Sequence, residues 1–123
     1  MMPTIKILLA EDDKLVMGAL RDTLDLEGWE VVCCQNGTIA LAEIESERRY
    51  DLIVTDYFMP GIDGAELTRA ARALAHRRGT PIIMLTASPV EREAYEAGVN
   101  LFLSKPEGIG KLIEAVKVLL SGD

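Results

Sequence analysis

A chain of 123 residues, 49% apolar and 27% charged, is long enough for one buried core, too short for two, and too apolar for disorder. Its formal net charge of −7 works against non-specific binding to DNA or anionic membranes, and no apolar run approaches the length needed to span a bilayer. The opening MMPTIKILLAEDD meets acid too early for a secretory signal, and the two cysteines, Cys33 and Cys34, are neighbours that close no useful loop, so a reduced, cytoplasmic setting is expected.

The first apolar run, IKILLA (5–10), reads as a buried strand and ends at once in Glu11, Asp12 and Asp13. Val16, Leu20 and Leu24 then recur at helical spacing, with Gly28 as the expected stop. Trp29 reads as a packing residue over that helix. EVVCC (30–34) is a second strand, on which Cys33 and Cys34 point one in and one out, with no chemistry assigned to either. Ala40 and Ile44 mark a second helix, and Arg48-Arg49 a solvated helix end. DLIVT (51–55) is a third strand that stops on Asp56, before the chain breaks at Pro60, Gly61 and the Asp63-Gly64 turn. Asp63-x-x-Glu66 has the form of a capping box, and Leu67, Ala71 and Leu74 mark a third helix that Gly79 ends. His76-Arg77-Arg78 reads as another solvated end, with His76 interacting with the helix C-terminus.

PIIML (81–85) runs into Thr86. Ser88-Pro89-Val90-Glu91 then has the form of a second capping box with proline at the first helical position, so a fourth helix is expected from the Ser88 cap to Gly98. Tyr95 on that helix is either partner-facing or simply exposed. NLFLS (100–104) leads into Lys105-Pro106, and Ile109, Leu112, Ile113, Val116 and Leu120 share one stripe of a last helix, before a Ser121-Gly122-Asp123 tail. Five strands alternating strictly with helices imply right-handed crossovers and a parallel sheet covered on both faces. Runs apolar at every position, such as IIML, agree with that burial. The expected fold is an open, doubly wound five-stranded α/β sheet, one domain over residues 1–123, with its functional crevice beyond the carboxyl ends of the strands.

At that edge stand Glu11-Asp12-Asp13, Asp56, Thr86 and Lys105. Several carboxylates brought together repel, so either some protonate or a cation sits among them. Oxygen-only donors and an open site suit Mg²⁺. With such an ion and Lys105 opposite, and with the Thr86 hydroxyl on a third phosphoryl oxygen, Asp56 would be an ionised nucleophile able to form an acyl phosphate. Taken singly, each group has an ordinary reading. Asp56 is a loop acid, Thr86 a turn cap, Lys105 an edge-strand charge, and the acidic triplet a partner for a helix dipole. Four independent strand ends each offering the group that phosphoryl chemistry wants is poorly explained by coincidence.

The pieces ILLAEDD, LIVTDYFMPGIDG, PIIMLTA, EAG and LFLSKP closely resemble the receiver domains of two-component response regulators, from about Ile5 to Leu120. The resemblance implies a flavodoxin-like strand order 2-1-3-4-5. It also implies phosphoryl transfer to Asp56 from a sensor histidine kinase or a histidine phosphotransfer protein, with Mg²⁺ held by Glu11, Asp12, Asp56 and the backbone carbonyl of Phe58. Thr86 and Lys105 match the pair that grips the phosphoryl oxygens, Phe102 matches the aromatic switch position, and the Lys105-Pro106 bond matches one the family keeps cis. An unknown downstream protein would read the face made by the fourth helix, fifth strand and fifth helix.

Three departures carry expectations of their own. TASPVEREAYEAG (86–98) is about three residues short of the family pattern, close to one helical turn, so the fourth helix should be short or displaced and any dimer through that face weakened. A monomer or weak phosphorylation-dependent dimer follows. Phe58 beside the site should shield an acyl phosphate from water, and Glu107 in place of an apolar residue should loosen the start of the fifth helix. The chain is expected to be a signalling module rather than an enzyme, either a stand-alone regulator or a domain cut from a larger one. A Mg²⁺-dependent aspartyl-phosphate phosphatase would need a second aspartate where Phe58 stands. A pseudo-receiver interaction module is countered by the intact acidic, threonine and lysine set. A flavodoxin-like cofactor binder shares the topology but would need a phosphate-cradling loop after the first strand, where Glu11-Asp12-Asp13 would instead repel a phosphate.

Overall fold

The computed structural model describes residues 4–122; Met1–Pro3 and Asp123, which the single-domain reading included, lie outside the described residues. Five strands, β1 (Lys6–Ala10), β2 (Glu30–Cys34), β3 (Leu52–Thr55), β4 (Ile82–Thr86) and β5 (Leu101–Ser104), alternate with helices α1 (Lys14–Asp25), α2 (Gly37–Glu45), α3 (Gly64–Ala73), α4 (Glu91–Ala97) and α5 (Leu112–Ser121). All pairings are parallel, in the order β2-β1-β3-β4-β5. The strands lie within one or two residues of the apolar runs, and β3 and β4 are buried at every position.

Period-two alternation feeds each strand into two layers. Ile7, Leu9, Leu52, Val54, Ile83 and Leu85 meet Leu20 and Leu24 of α1 and Leu112 and Val116 of α5, with Trp29 packed at the margin. Leu8, Ile53, Ile82 and Met84 meet Ala40, Ile44, Leu67, Ala71 and Ala94 from α2, α3 and α4. Each large side chain fully buried in these layers contributes roughly 1.5–3 kcal/mol by leaving water. The order reverses between β1 and β3: the crossover leaving β1 goes to β2 on one side and the one leaving β3 goes to β4 on the other, so a crevice opens where β1 and β3 end.

Several local expectations are corrected. Ser88 does not cap α4: the residue before the helix is Val90, with no side-chain cap. The Ser88 amide instead turns back to the Thr86 hydroxyl at 3.3 Å, and its carbonyl takes the Val90 amide at 2.9 Å. The helix is short, as expected, with seven residues ending at Gly98 in the left-handed conformation. α3 stops at Ala73 rather than at Gly79, because the Arg72 guanidinium gathers the carbonyls of Arg78 and Thr80 and holds the following loop off the helical path.

Arg77 is not a solvated helix end. It is 3% exposed, and it donates to the Ile44 carbonyl at 2.8 Å and to those of Glu43, Ser46 and Arg48, closing the open C-terminus of α2. His76 does meet a helix C-terminus, but it is that of α2, through the Ser46 carbonyl at 2.9 Å. Cys33 and Cys34 face opposite layers, Cys34 buried in one and Cys33 half-buried against the other; burial raises both thiols, Cys34 to about 11. Ile109 sits in a 3-10 turn over Glu107–Lys111 rather than in α5, so the segment after Glu107 does depart from an α-helix. Ser121 is the last residue of α5, not tail, and Gly122 caps it at φ 75°.

Candidate functional site

The strand ladder runs one residue past each strand at the crevice. The Glu11 amide bonds the Cys34 carbonyl at 3.0 Å, the Asp56 amide bonds the Ala10 carbonyl at 3.0 Å, and the Lys105 amide bonds the Thr86 carbonyl at 2.9 Å. The chemical groups therefore hang from pinned backbone rather than from free loops. Lys105 and Pro106 are joined by a cis peptide, as the resemblance implied.

Between them lies a cleft of about 350 Å³ lined by Glu11, Asp12, Asp56, Phe58, Thr86, Ser88 and Lys105. The Lys105 ammonium donates to Glu11 Oε1 at 2.7 Å and to Asp56 Oδ2 at 2.9 Å. Burial pulls that ammonium toward neutrality, but the two carboxylate bonds outweigh it, and its pKa stands above the ordinary lysine value. Glu11 is 2% exposed, and burial raises its carboxyl above the usual range, against the bonds from Lys105 and from the Asp13 amide at 3.1 Å. Asp56 Oδ1 accepts the Tyr57 amide at 2.6 Å.

One ligand atom from each of Glu11, Asp12 and Asp56 falls within 4.8 Å of the others. Three carboxylates against one ammonium leave the cluster short of positive charge. The donors are all oxygen, one buried and one open to solvent, which suits a small hard cation that keeps part of its water shell. Asp13, the third acid of the triplet, is committed elsewhere. It caps α1, accepting the amides of Leu15 at 2.9 Å and Val16 at 3.2 Å.

The cleft thus brings together Glu11, Asp12, Asp56, Phe58, Thr86 and Lys105. Thr86 is 2% exposed, and Phe58 is 67% exposed, edge-on to Tyr57 with ring centroids 4.9 Å apart. Phe102 lies outside the cleft, half-buried against the layer formed with α2, α3 and α4. Two neighbours of Asp56 carry no signal that the sequence pattern singled out. Tyr57 supplies its amide, and a hydrogen bond to Glu93 on α4 pushes its own phenol up to about 12. Gly64 leaves no room for a side chain, since a Cβ there would overlap the Asp56 carbonyl. A glycine directly after a cap residue is the one hint in the sequence, and by itself it indicates only a turn. A wider, mostly apolar groove of about 510 Å³, between β5 and α5, is lined by Leu101, Leu103, Val118 and Leu119, with Lys111 and Glu114 among its lining residues, and holds none of the cleft's carboxylate cluster.

Comparison with known proteins places this geometry. A family model described as response regulator receiver domain matches residues 7–117. The transcriptional regulatory protein ResD of Bacillus subtilis (strain 168) is 37% identical over 118 residues, covering 94% of this chain and 48% of ResD. The polar-differentiation response regulator DivK of Brucella anthropi is 31% identical over 117 residues, covering 93% of this chain and 94% of DivK. The chain thus spans about half the length of ResD and nearly all of DivK. Among solved structures, the receiver domain of the sensor histidine kinase PA1611 from Pseudomonas aeruginosa PAO1 superposes with a TM-score of 0.88 at 30% identity, over 97% of this chain and 99% of that one. That structure has a magnesium ion coordinated in its active-site cleft.

Proposed function

The chain belongs to the response regulator receiver domain family, and from that premise we propose that it is a phosphoacceptor whose Asp56 takes a phosphoryl group from a sensor histidine kinase or a histidine phosphotransfer protein. The observation that carries the reading is the three-way contact in which Lys105 joins Glu11 and Asp56 at the rim of a cleft that also holds Asp12 and Thr86. An oxygen of Asp56 attacks phosphorus in line with the phosphohistidine nitrogen; the P–O bond forms, the P–N bond breaks, and the imidazole leaves and takes a proton from water. Mg²⁺ bound by Glu11, Asp12, Asp56 and the Phe58 carbonyl would neutralise charge on the carboxylates and the phosphoryl oxygens. Lys105 turns from the Asp56 carboxylate to a phosphoryl oxygen, and the Thr86 hydroxyl donates to another. Phe102 responds to the displaced Thr86, and the face formed by α4, β5 and α5 presents the result to a downstream protein.

On this reading the chain acts on no external substrate, because Phe58 occupies the position where an aspartyl-phosphate phosphatase needs its second aspartate. It works in the cytoplasm through protein contacts, as a monomer or weak phosphorylation-dependent dimer, without touching nucleic acid itself. Among the described residues no helix is long and apolar enough to cross a membrane. The likeness to DivK along nearly its whole length supports a stand-alone regulator, and the likeness to half of ResD supports a module of a larger one. The test is intact mass after incubation with acetyl phosphate, with and without Mg²⁺, for wild type and Asp56→Asn. A Mg²⁺-dependent phosphoryl adduct absent from the variant is the expected result. If a panel of kinases also leaves the wild type unmodified, the chain is a pseudo-receiver that uses the fold only for contacts.

A further inference from the structure

Tyr95 stands on α4 with its hydroxyl 3.0 Å from the backbone nitrogen of Phe102, from which it accepts a hydrogen bond. β5 is the outermost strand on its side of the sheet, so its alternate amides point away from β4 and have no strand to receive them. The Phe102 amide is one of these, and a helix side chain occupies the place a sixth strand would take. This bond crosses the seam between a short helix and the strand bearing the switch position. α4 buries Ala94 and Ala97 in the core, its N-terminus has no side-chain cap, and Arg72 of α3 grips the Gly98 carbonyl at 3.0 Å just past its C-terminus. Outside that buried face, the Tyr95 hydroxyl ties the middle of the helix to β5. The seam is open to solvent along a depression that also includes Pro89, Arg92 and Ser104.

The same helix is wired to the site from its other end. The Thr86 hydroxyl accepts the Ser88 amide at 3.3 Å, and the Ser88 carbonyl accepts the Val90 amide directly before α4. A Thr86 side chain drawn toward a phosphoryl oxygen moves the anchor of the segment that starts α4. The Tyr95 tie holds the far side of that segment.

Resting on the phosphoacceptor reading above, we propose that Tyr95 is a positioning residue: its hydroxyl latches α4 onto the Phe102 backbone in the unphosphorylated chain and opposes the rearrangement that accompanies phosphoryl binding at Asp56. A contact present in one state and absent from the other biases the equilibrium between them, and ligand affinity carries the same bias by reciprocity. Deleting one hydrogen bond of ordinary net strength should therefore tighten binding of a phosphoryl mimic about fivefold. A merely structural hydroxyl would not do this, since its loss lowers stability without raising affinity.

The experiment is a calorimetric titration with beryllofluoride in saturating Mg²⁺ on wild type and Tyr95→Phe, which keeps the ring and removes the hydroxyl. Alongside it, exchange of the Phe102 amide is followed by NMR in the free and saturated wild type. Tighter binding by the variant, with a Phe102 amide protected in the free wild type and unprotected on saturation, is the expected result. Equal or weaker binding by Tyr95→Phe overturns the latch. Unchanged Phe102 protection on saturation of the wild type overturns it without reference to any variant. A wild type that takes neither beryllofluoride nor phosphoryl from acetyl phosphate overturns the phosphoacceptor reading, and the latch with it.

Discussion

The ammonium of Lys105 sits 2.9 Å from the carboxylate of Asp56, and a second bond of 2.7 Å ties it to Glu11. Lysine thus holds the ground that a metal and a phosphoryl group would contest. Replacing it with methionine keeps the aliphatic stem and removes the charge. The cluster is then left with three acids and no internal cation, so Mg²⁺ affinity should rise about tenfold, from loss of one unit charge a few ångströms away. Phosphoryl uptake should fall, because nothing replaces the donor to the phosphoryl oxygen. Calorimetric Mg²⁺ titration and intact mass after acetyl phosphate check the two directions. Weaker Mg²⁺ binding in Lys105→Met would refute the electrostatic account.

Phe58 borders the cleft that holds Asp56 while remaining 67% exposed, so its ring lines the mouth of the site without being part of the core. Truncation to alanine should leave stability nearly unchanged and open a path for water. The acyl phosphate of Phe58→Ala should decay about threefold faster than that of wild type, a modest factor suited to lost shielding rather than lost catalysis. Decay of the phosphorylated proteins after removal of the donor measures it. Equal or slower loss from the variant refutes shielding.

Gly64 and Gly18 make opposite predictions from the same substitution. A methyl at Gly64 would overlap the Asp56 backbone carbonyl, whereas one at Gly18, inside α1, would meet no atom within 4 Å. Gly64→Ala should lose about 2 kcal/mol to overpacking, and Gly18→Ala should gain about 0.5–1 kcal/mol from helix propensity and chain entropy. Urea unfolding of the two variants decides it. A Gly64→Ala chain as stable as wild type would mean that α3 can retreat from the acceptor loop freely.

Most of the site is legible in the amino-acid sequence, because parallel strands end on one edge and the ends of β1, β3, β4 and β5 each carry a distinctive residue. Asp56, Thr86 and Lys105 need only the topology to bring them together. What stays hidden is long-range hydrogen bonding. Arg77 looks like surface charge in HRR, and only the folded chain shows four carbonyls from Glu43 to Arg48 waiting for it. Ser88 matches a capping box in spacing, but the nearby Thr86 hydroxyl competes for its amide and wins. Tyr95 has no readable role because its partner is a backbone amide, which no side-chain pattern announces.

Remote from the cleft, the Tyr50 hydroxyl donates to Glu43 Oε1 at 2.5 Å, while Arg77 and Lys6 lie 5.2 and 5.3 Å from the centre of its ring. The phenol bond, joined by Arg48, holds the Glu43 carboxyl below its ordinary value of 4.5. A folded pKa below the unfolded one means that the unfolded chain binds more protons in that window. The stabilisation is therefore complete above about pH 5 and is lost as pH falls through the folded value. Tyr50→Phe keeps the ring and its cationic neighbours but removes the donor. At pH 7 it should be less stable by about 1.5 kcal/mol, the scale of a hydrogen bond to a charged group. The gap should hold down to about pH 5 and narrow below it, as Glu43 takes up its proton in both proteins. Urea unfolding at pH 7, 5 and 3.5 reads this directly, and a gap that stays constant or widens in acid would show that the hydroxyl does not act through the ionised Glu43.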